Sequence, residues 1–182
     1  MIGRIKGEVT EKLPGTVLVA AGPIEYEVWL ALPDWQETKV GDEASFYIYE
    51  NIKEDAYALF GFSEYVAKEL FMKLLSVSGV GPKSALSILS AGSPDKIMQA
   101  IQSGSAELFA GVVGVGKKTA ERVLVELKGK VSSSAPAGDE TYLALVGLGY
   151  TPAQAADAVS KVPAAVTDDA ERVKLALKSL AK

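Results

Sequence analysis

Two hydrophobic patterns divide the chain near residue 63. Before that point, five short runs rich in Val, Ile, Tyr and Phe are separated by breaker residues such as Pro14-Gly15 and Gly41-Asp42. The runs predict strands over residues 2–9, 16–20, 24–30, 44–49 and 56–60. Five short strands without a long helix favour a small OB-like β-barrel, and an SH3-like barrel is the alternative.

After residue 63 the apolar positions recur with a helical period. Ser63 is suited to cap a first helix, and Ser93 followed by Pro94 marks the start of another. A further helix is predicted over residues 117–128. Its expected buried face consists of Ala120, Val123, Leu124 and Leu127. Residues 63–130 therefore predict an all-α domain of short helices joined by glycine turns.

The last part of the chain predicts a third, smaller domain. Residues 131–138 are small, polar and rich in breakers, which is typical of a flexible linker. Three helices are expected beyond it, over residues 141–148, 151–162 and 167–180, with Thr151 and Thr167 as N-caps. The predicted division is 1–62, 63–130, 131–138 and 139–182. A three-helix unit of this size has a small core and suits docking better than catalysis.

Charge is distributed unevenly over these domains. The whole chain has a net charge of −4, which by itself argues against a nucleic-acid partner. Residues 1–64 hold 5 Lys+Arg and 12 Asp+Glu, whereas residues 65–130 hold 9 and 5. The all-α domain is thus basic and the barrel strongly acidic, which indicates different partners for the two.

A Gly-x-Gly sequence occurs twice in the basic segment. The sequence GVGPK at residues 79–83 recurs 35 residues later as GVGKK at residues 114–118. Glycine lets a backbone turn sharply and come close to another backbone, and the N–H groups that open the following helix attract an anion. One such turn is equally compatible with a plain connection between helices. Two copies in the basic segment favour binding to a nucleic-acid backbone without base readout.

The repeated turn resembles the helix-hairpin-helix motif, and the pair resembles a tandem helix-hairpin-helix domain. We expect four glycine N–H groups to donate to phosphate, three lysines to add positive charge, and one arginine to extend the contact. The glycines are Gly79, Gly81, Gly114 and Gly116. The cations are Lys83, Lys117, Lys118 and Arg122. The side chains expected to pack inward and hold the turns in shape are Val77, Val80, Val112 and Val115.

The resemblance extends over nearly the whole chain. MIGRI at the N-terminus, LFGF at residues 59–62, both glycine turns, and LVGLGY at residues 145–150 together resemble the bacterial RuvA family. That resemblance implies a non-catalytic protein that recognises Holliday junctions in DNA recombination, DNA repair and the SOS response, and that recruits the RuvB ATPase for branch migration. It also implies a homotetramer with the OB domains at its centre, and it leaves open an octamer and a shared complex with the RuvC resolvase. Val113 stands where the family often has proline.

Glu54 and Asp55 form an adjacent acidic pair in the predicted barrel. Neighbouring strand residues point to opposite faces, and no other metal-ligating residues lie nearby in sequence. From the residues alone, an acidic turn is the favoured interpretation. The resemblance instead implies an acidic pin at the junction centre, whose charge repels phosphate and disfavours continuous duplex.

Two further groups of side chains have alternative interpretations. The barrel aromatics could form a platform for stacked bases, but core packing is favoured because the domain lacks a basic groove. These aromatics are Tyr26, Trp29, Phe46, Tyr47 and Tyr49. Residues 139–182 resemble a ubiquitin-associated domain, and the resemblance implies that this domain binds RuvB. The side chains expected in that contact are Leu143, Leu148 and Tyr150.

Composition excludes several classes of site. The chain contains no histidine and no cysteine, so the commonest general base, the commonest zinc ligand and all thiol chemistry are missing. A glycosylase or nuclease that uses helix-hairpin-helix units only for affinity would need a catalytic constellation, and none is visible. A single-strand-binding OB protein is the third hypothesis. We expect this chain to bind no cofactor, whereas the resemblance implies that RuvB uses ATP and Mg²⁺. We also expect a cytoplasmic location without membrane contact.

Overall fold

The computed structural model describes residues 1–131, 140–163, 166 and 168–180. The chain forms two compact units, Met1–Lys128 and Gly129–Lys182. The predicted linker, apart from Val131, and the predicted N-cap Thr167 lie outside the described residues. The finer division at residues 62 and 130 stays a prediction.

The first unit begins with a closed five-stranded barrel. Its strands are β1 Arg4–Leu13, β2 Thr16–Ala21, β3 Ile24–Leu30, β4 Glu43–Ile52 and β5 Tyr57–Phe62. They are ordered β1-β2-β3-β5-β4, and β4 pairs with β1 to close the barrel. The β3–β5 pair is parallel and the other four pairs are antiparallel. The predicted OB-like barrel is confirmed, although β1 and β4 both run three or more residues beyond their expected ends.

The barrel encloses apolar side chains that alternate along the strands, as the two-residue period of a strand requires. The most deeply buried, each at most 1% exposed, include Val9, Val17, Val19, Val28 and Ile48. Strands β1 and β2 approach each other closely at Gly7, where a Cβ would collide with the carbonyl oxygen of Ala20. Glycine is therefore the residue that the barrel tolerates at this position.

The sequence pattern does not predict α1 Leu32–Glu37, a six-residue helix between β3 and β4. A helix this short has little stability of its own and shows no clear apolar period. Contacts from distant parts of the chain hold it in place. The indole N–H of Trp35 donates to the carbonyl of Leu13 at 2.7 Å, and the backbone N–H of Leu32 donates to Oγ of Ser90 at 2.9 Å.

Four α-helices follow the barrel within the first unit. They are α2 Tyr65–Leu75, α3 Pro82–Leu89, α4 Pro94–Ser103 and α5 Lys117–Leu127, with a short 3-10 turn at Glu107–Phe109. The predicted buried face of α5 is confirmed, because Ala120, Val123, Leu124 and Leu127 are all buried. The predicted cap Ser93 is also confirmed, since its side chain accepts a bond from the N–H of Lys96 at 3.4 Å.

The predicted cap Ser63 is wrong. Glu64 occupies the N-cap position of α2 and makes no side-chain capping bond. The hydroxyl of Ser63 instead donates to Oδ1 of Asp34 at 2.6 Å. The Ser63 hydroxyl therefore bonds to a carboxylate on α1 and does not form the cap at the start of α2 that the local sequence predicts.

Contacts between aromatic rings join the barrel to helix α2. The ring of Phe71 on α2 packs against three barrel rings at centroid distances of 4.9 to 5.4 Å. These rings belong to Tyr49, Phe60 and Phe62. Such aromatic contacts contribute beyond their buried area, and they fix the helical part of the first unit against the barrel.

The second unit is described as three helices, α6 Glu140–Gly147, α7 Pro152–Ser160 and α8 Asp169–Leu180. Its small core consists of Leu145, Ala155, Ala158, Val159 and Ala176. The predicted N-cap Thr151 is confirmed, because it forms a reciprocal capping box with Gln154 at the start of α7. No helix in the described part of either unit has the length and apolar character that a membrane span requires.

Candidate nucleic-acid interface

The first glycine turn (residues 77–80) connects α2 to α3. The N–H of Val80 donates to the carbonyl of Val77 at 3.1 Å, which closes the turn. Gly79 stands at the third position with φ of +87°. A closing bond of this kind, with positive φ at the third position only, defines a type II turn. Glycine is required there because a side chain disfavours this backbone conformation.

The second glycine turn (residues 112–115) precedes α5 and repeats that geometry. The N–H of Val115 donates to the carbonyl of Val112 at 3.0 Å, and Gly114 at the third position has φ of +78°. The two copies found in the sequence are thus the same structural device. The duplication extends from the residues to the backbone conformation.

Each turn leads directly into a helix that a second glycine caps. Gly81 is the N-cap of α3 and Gly116 the N-cap of α5, both with extended backbone and without a side-chain capping bond. The first N–H groups of a helix have no partner inside it. For α3 and α5, no other part of the described chain supplies one. Each turn therefore presents unpaired donors at the positive end of a helix, an arrangement that binds anions.

The three predicted lysines are exposed at these helix starts. Lys83 follows the first turn, and its ammonium lies 4.7 Å from the centroid of the Trp29 ring on β3. Lys117 and Lys118 begin α5 after the second turn. The structure thus brings each lysine next to the unpaired N–H groups of its own turn, where positive charge would add to the attraction for an anion.

The valines that support the two turns are buried to different extents. The predicted inward packing is confirmed for Val77 and Val80, which are 2% and 7% exposed. Val112 and Val115 are only half-buried. Val113 at the tip of the second turn is 83% exposed. The first turn is therefore anchored in the core, and the second turn lies nearer the surface.

Two side chains connect the turns to each other. Nη1 of Arg122 on α5 donates to the carbonyl of Ser78 in the first turn at 2.8 Å. Oγ of Ser84 on α3 donates to the carbonyl of Gly114 in the second turn at 3.1 Å. The predicted contact of Arg122 with DNA stays a prediction, and its guanidinium has a protein partner here. The sequence pattern does not single out Ser84, because nothing local distinguishes it from other helix serines.

The acidic pair lies in the exposed loop between β4 and β5. The N–H of Lys53 donates to the carbonyl of Ala56 at 2.8 Å across this loop, and Glu54 and Asp55 are both exposed. The interpretation of the pair as an acidic turn is confirmed, since β4 ends at Ile52 before the pair and β5 begins at Tyr57 after it. Two carboxylates at the tip of a hairpin are free to project into solvent. No group of three or more acidic residues in the described chain could hold a metal ion.

A third carboxylate supports the base of the acidic loop. Glu50 accepts bonds from the hydroxyl of Tyr57 and from the N–H of Ile2, both at 2.6 Å. The Tyr57 hydroxyl, and then the Ile2 N–H, hold the pKa of Glu50 below its ordinary value. The same bond to Glu50 raises the pKa of Tyr57. Glu50 thus ties β4 to β5 and to the N-terminal residues.

The predicted barrel aromatics pack in several separate places. Phe46 is 3% exposed, and Tyr26 packs against the barrel core. Tyr47 makes an edge contact with Tyr65 on α2, with 5.4 Å between ring centroids. Trp29 lies beneath Lys83. These contacts favour structural roles over a shared platform for stacked bases.

The side chains predicted to bind a partner separate into two groups in the second unit. Leu143 and Leu148 are 58% and 62% exposed, and Val146 between them is 36% exposed. Tyr150 packs against the small core. The two leucines are therefore available at the surface, and Val146 is a third exposed apolar residue, which the sequence pattern does not indicate.

Three family models match successive parts of the chain. The model for the RuvA N terminal domain matches residues 1–61. The model for a SAM-like helix-hairpin-helix tandem matches residues 71–130, which contain both glycine turns. The model for the RuvA C-terminal domain matches residues 136–181. The three matches follow one another in the order of the RuvA architecture implied by the sequence motifs.

Individual relatives are similar over the full chain. A protein from a Polaromonas species is 39% identical and one from Methylibium petroleiphilum is 38% identical, with 100% of each chain covered. A protein from Chromobacterium violaceum is 36% identical with the same coverage. All three are named Holliday junction branch migration complex subunit RuvA. With this identity over its whole length and with the matching family models, the chain belongs to the RuvA family.

Proposed function

We propose that this chain is the DNA-binding subunit of a branch-migration complex and that it binds Holliday junctions through their phosphate backbone. One observation carries the proposal: two glycine turns of the same geometry each present unpaired N–H groups beside exposed lysine. Contacts to phosphate suit a junction because its base sequence changes as the crossover moves. The shared name of the relatives supports this assignment.

In this proposal the glycine N–H groups position the phosphates and the lysines add charge. The donors are the N–H groups of Gly79, Gly81, Gly114 and Gly116. Lys83 acts at the first turn, and Lys117 and Lys118 act at the second. Because the N–H groups belong to fixed backbone, they lose little freedom when DNA binds.

Competition binding tests the proposed function. A four-way junction, a duplex of the same arm sequence and a single strand are compared at one stated salt concentration. We expect the junction to bind most tightly, with similar affinity for junctions of unrelated sequence. Preference for the single strand would support a single-strand-binding OB protein instead. Cleavage or base removal during the assay would support an enzyme.

We propose that Glu54 and Asp55 supply the preference for a junction. Their exposed carboxylates would repel the phosphates of a continuous duplex and leave room for separated strands at a crossover. The variant Glu54→Gln with Asp55→Asn should bind ordinary duplex more tightly and lose part of its junction preference. The control Glu107→Gln removes an acid from elsewhere in the first unit. An unchanged ratio of junction to duplex affinity in the test variant would remove the pair from the mechanism.

The symmetry of the DNA supports a homotetramer. A four-way junction has four near-equivalent arms, and a fourfold ring would present one pair of glycine turns to each arm. A single tetramer would leave one face of the junction open to a resolvase such as RuvC, whereas an octamer would cover both faces. Light scattering with and without junction DNA distinguishes one tetramer from two. A monomer in both samples would contradict the proposed assembly.

We propose that residues 139–182 bind the RuvB motor. In this proposal the complex works in the cytoplasm, the motor uses ATP and Mg²⁺, and this chain itself holds no cofactor. The exposed Leu143 and Leu148 offer an apolar surface for that contact, with Tyr150 supporting it from the core side. Leu143→Ser with Leu148→Ser should leave junction binding intact and abolish motor recruitment. The matched control is Val125→Ser, because Val125 is an exposed apolar residue on α5. Retained recruitment in the leucine variant would place the contact elsewhere.

A further inference from the structure

We propose that Ser84 and Arg122 are positioning residues that brace the two glycine turns against each other. Each side chain starts from the helix after one turn and donates to a backbone carbonyl of the other turn. The contacts are therefore reciprocal, although the two donors occupy different positions in their helices. This inference rests on the proposed function where it concerns DNA, and it has a separate readout that does not involve DNA.

The bond from Arg122 crosses 44 residues of sequence and ends on the peptide that the type II turn exposes. In such a turn the carbonyl of the second residue points away from the closing hydrogen bond, so Ser78 needs an outside donor or water. A guanidinium is a strong donor to a carbonyl because it is charged. Arg122 therefore holds the first turn from the helix that follows the second turn.

Ser84 makes the complementary contact from α3. Its hydroxyl donates to the carbonyl of Gly114, and a Cβ built on Gly114 would lie 3.4 Å from the same hydroxyl. A Cβ built on Gly79 would lie 3.5 Å from Nη1 of Arg122. Each bracing atom thus lies against the glycine that gives its partner turn its shape, and a shift of one turn would disturb the other.

The guanidinium of Arg122 is already engaged within the protein. Besides its bond to Ser78, its Nε lies 4.0 Å from a carboxylate oxygen of Glu126. Lys117 and Lys118 begin the same helix, and all three cations are exposed. They differ in bonding, because Arg122 is the one of the three that donates to a backbone carbonyl in the described chain.

A brace matters because two phosphates are bound at a fixed separation along a DNA backbone. If the turns moved independently, each binding event would have to order one relative to the other, and that ordering weakens binding. Loss of one hydrogen bond changes an equilibrium by about 3–10-fold. We therefore expect each single variant, Arg122→Met and Ser84→Ala, to weaken junction binding by about 3–10-fold.

The salt dependence of binding separates a brace from a phosphate contact. A lost phosphate contact lowers the slope of log K against log salt by about 0.9, whereas a lost brace leaves that slope unchanged. We expect both single variants to keep the parent slope, and the double variant to bind no more weakly than the worse single one. The matched controls are Ser87→Ala, whose hydroxyl bonds within its own helix, and Lys128→Met, which removes an exposed charge from the end of α5.

Three outcomes of that titration would overturn the brace. Arg122→Met could lower the slope by about 0.9 while Ser84→Ala has no effect, which would make Arg122 a phosphate contact. The two losses could simply multiply in the double variant, which would make the side chains independent. Both variants could bind as tightly as the parent chain.

A distance measurement tests the brace without DNA. The natural chain has no cysteine, so Ser76→Cys and Val113→Cys place two spin labels at exposed positions beside the first and second turns. Pulsed EPR should give a narrow distance distribution that broadens when Arg122→Met or Ser84→Ala is added. An equally narrow distribution in those variants would overturn the brace, whatever the DNA affinity. A broadened distribution in a protein without junction preference would contradict only the proposed function.

Discussion

The two glycine turns share one backbone conformation but differ in their support. The first turn has buried valines beneath it, and its lysine lies over a barrel tryptophan. The second turn has half-buried valines, an exposed tip and two lysines at the start of its helix. A duplicated motif has thus become one turn fixed to the core and one turn with more exposed charge. Two copies of one motif can therefore differ in role, with one fixed more firmly in the protein core and the other presenting more positive charge to an anion.

This difference explains why a connection between the turns is useful. Val77 and Val80 hold the first turn because both are buried in the core of the first unit. The end of the helix that follows this turn is held by Ser90, whose hydroxyl accepts a bond from the backbone N–H of Leu32 in α1. The second turn gains part of its position from the first through Ser84 and Arg122. The second turn, which has more positive charge, is therefore held in position by the first turn, which is more firmly packed in the core.

The largest expected effect comes from the lysines of the second turn. Lys117→Ala with Lys118→Ala should lower the slope of log K against log salt by about 1.8 and weaken junction binding on the order of 50-fold at 0.1 M salt. Lys83→Ala should lower the slope by less than about 0.9, because a cation–π contact holds the Lys83 ammonium against the Trp29 ring and competes with a phosphate contact. Fluorescence anisotropy over a range of salt concentrations measures both. Equal slopes for the two variants would contradict the claim that the second turn contributes more positive charge to DNA binding than the first.

A somewhat smaller effect is expected from the supporting valines. Val77→Ala should lower the free energy of unfolding by about 2 kcal/mol, because it removes two methyl groups from a filled core. Val112→Ala should cost less than about 1 kcal/mol, since Val112 is half-buried. Denaturant unfolding of both variants makes the comparison. A larger loss for Val112→Ala would show that the second turn is the better anchored one.

Val113 gives a smaller effect of opposite sign. It occupies the second position of a type II turn, where proline is favoured, and its N–H bonds to no oxygen in the described chain. Val113→Pro should therefore stabilise the chain by about 0.4–1 kcal/mol. Val113→Ala is the matched control, because it shortens the side chain without restricting the backbone. A lower unfolding temperature for the proline variant would show that the second turn departs from this geometry.

The smallest effect concerns the acidic loop, whose charge is opposite to that of both turns. Tyr57→Phe removes the bond that lowers the pKa of Glu50, so that pKa should rise toward its ordinary value. Because the folded-state pKa of Glu50 is lowered, this bond contributes stability at neutral pH that is lost as pH falls below about 4. The raised pKa of Tyr57 means that the contribution is also lost as pH rises above about 10.

Titration of the side-chain carboxyl signals by NMR checks this prediction. Tyr47→Phe is the control, because Tyr47 has a ring contact and no bond to Glu50. An unchanged pKa for Glu50 in Tyr57→Phe would show that the hydroxyl does not support the loop.

The sequence was most informative where a residue type has one strong physical consequence. The two Gly-x-Gly sequences predicted both turns, because glycine adopts at little cost the positive φ that Gly79 and Gly114 have. Helical periodicity predicted the buried face of α5 for a similar reason. Both features are local, so neighbouring residues are enough to reveal them.

Features that depend on distant contacts were not predictable in the same way. Helix α1 is held by hydrogen bonds to Leu13 and Ser90. Ser63 donates to Asp34, 29 positions earlier in the sequence, and does not cap α2. The bond between Arg122 and Ser78 joins residues 44 positions apart. The charge of Arg122 and its distance from Lys118 are visible in the sequence and predict a contact with DNA, whereas the carbonyl that faces Arg122 is visible only in the fold.

The most direct test follows the backbone N–H groups of the turns as junction DNA is added. In TROSY spectra of the deuterated protein, binding to phosphate should shift the amide signals of Gly79, Gly81, Gly114 and Gly116 most strongly. The same shifts should appear with junctions of unrelated base sequence. Unchanged glycine signals, with the main perturbations at the barrel aromatics Tyr26 and Trp29, would contradict phosphate binding by the paired turns.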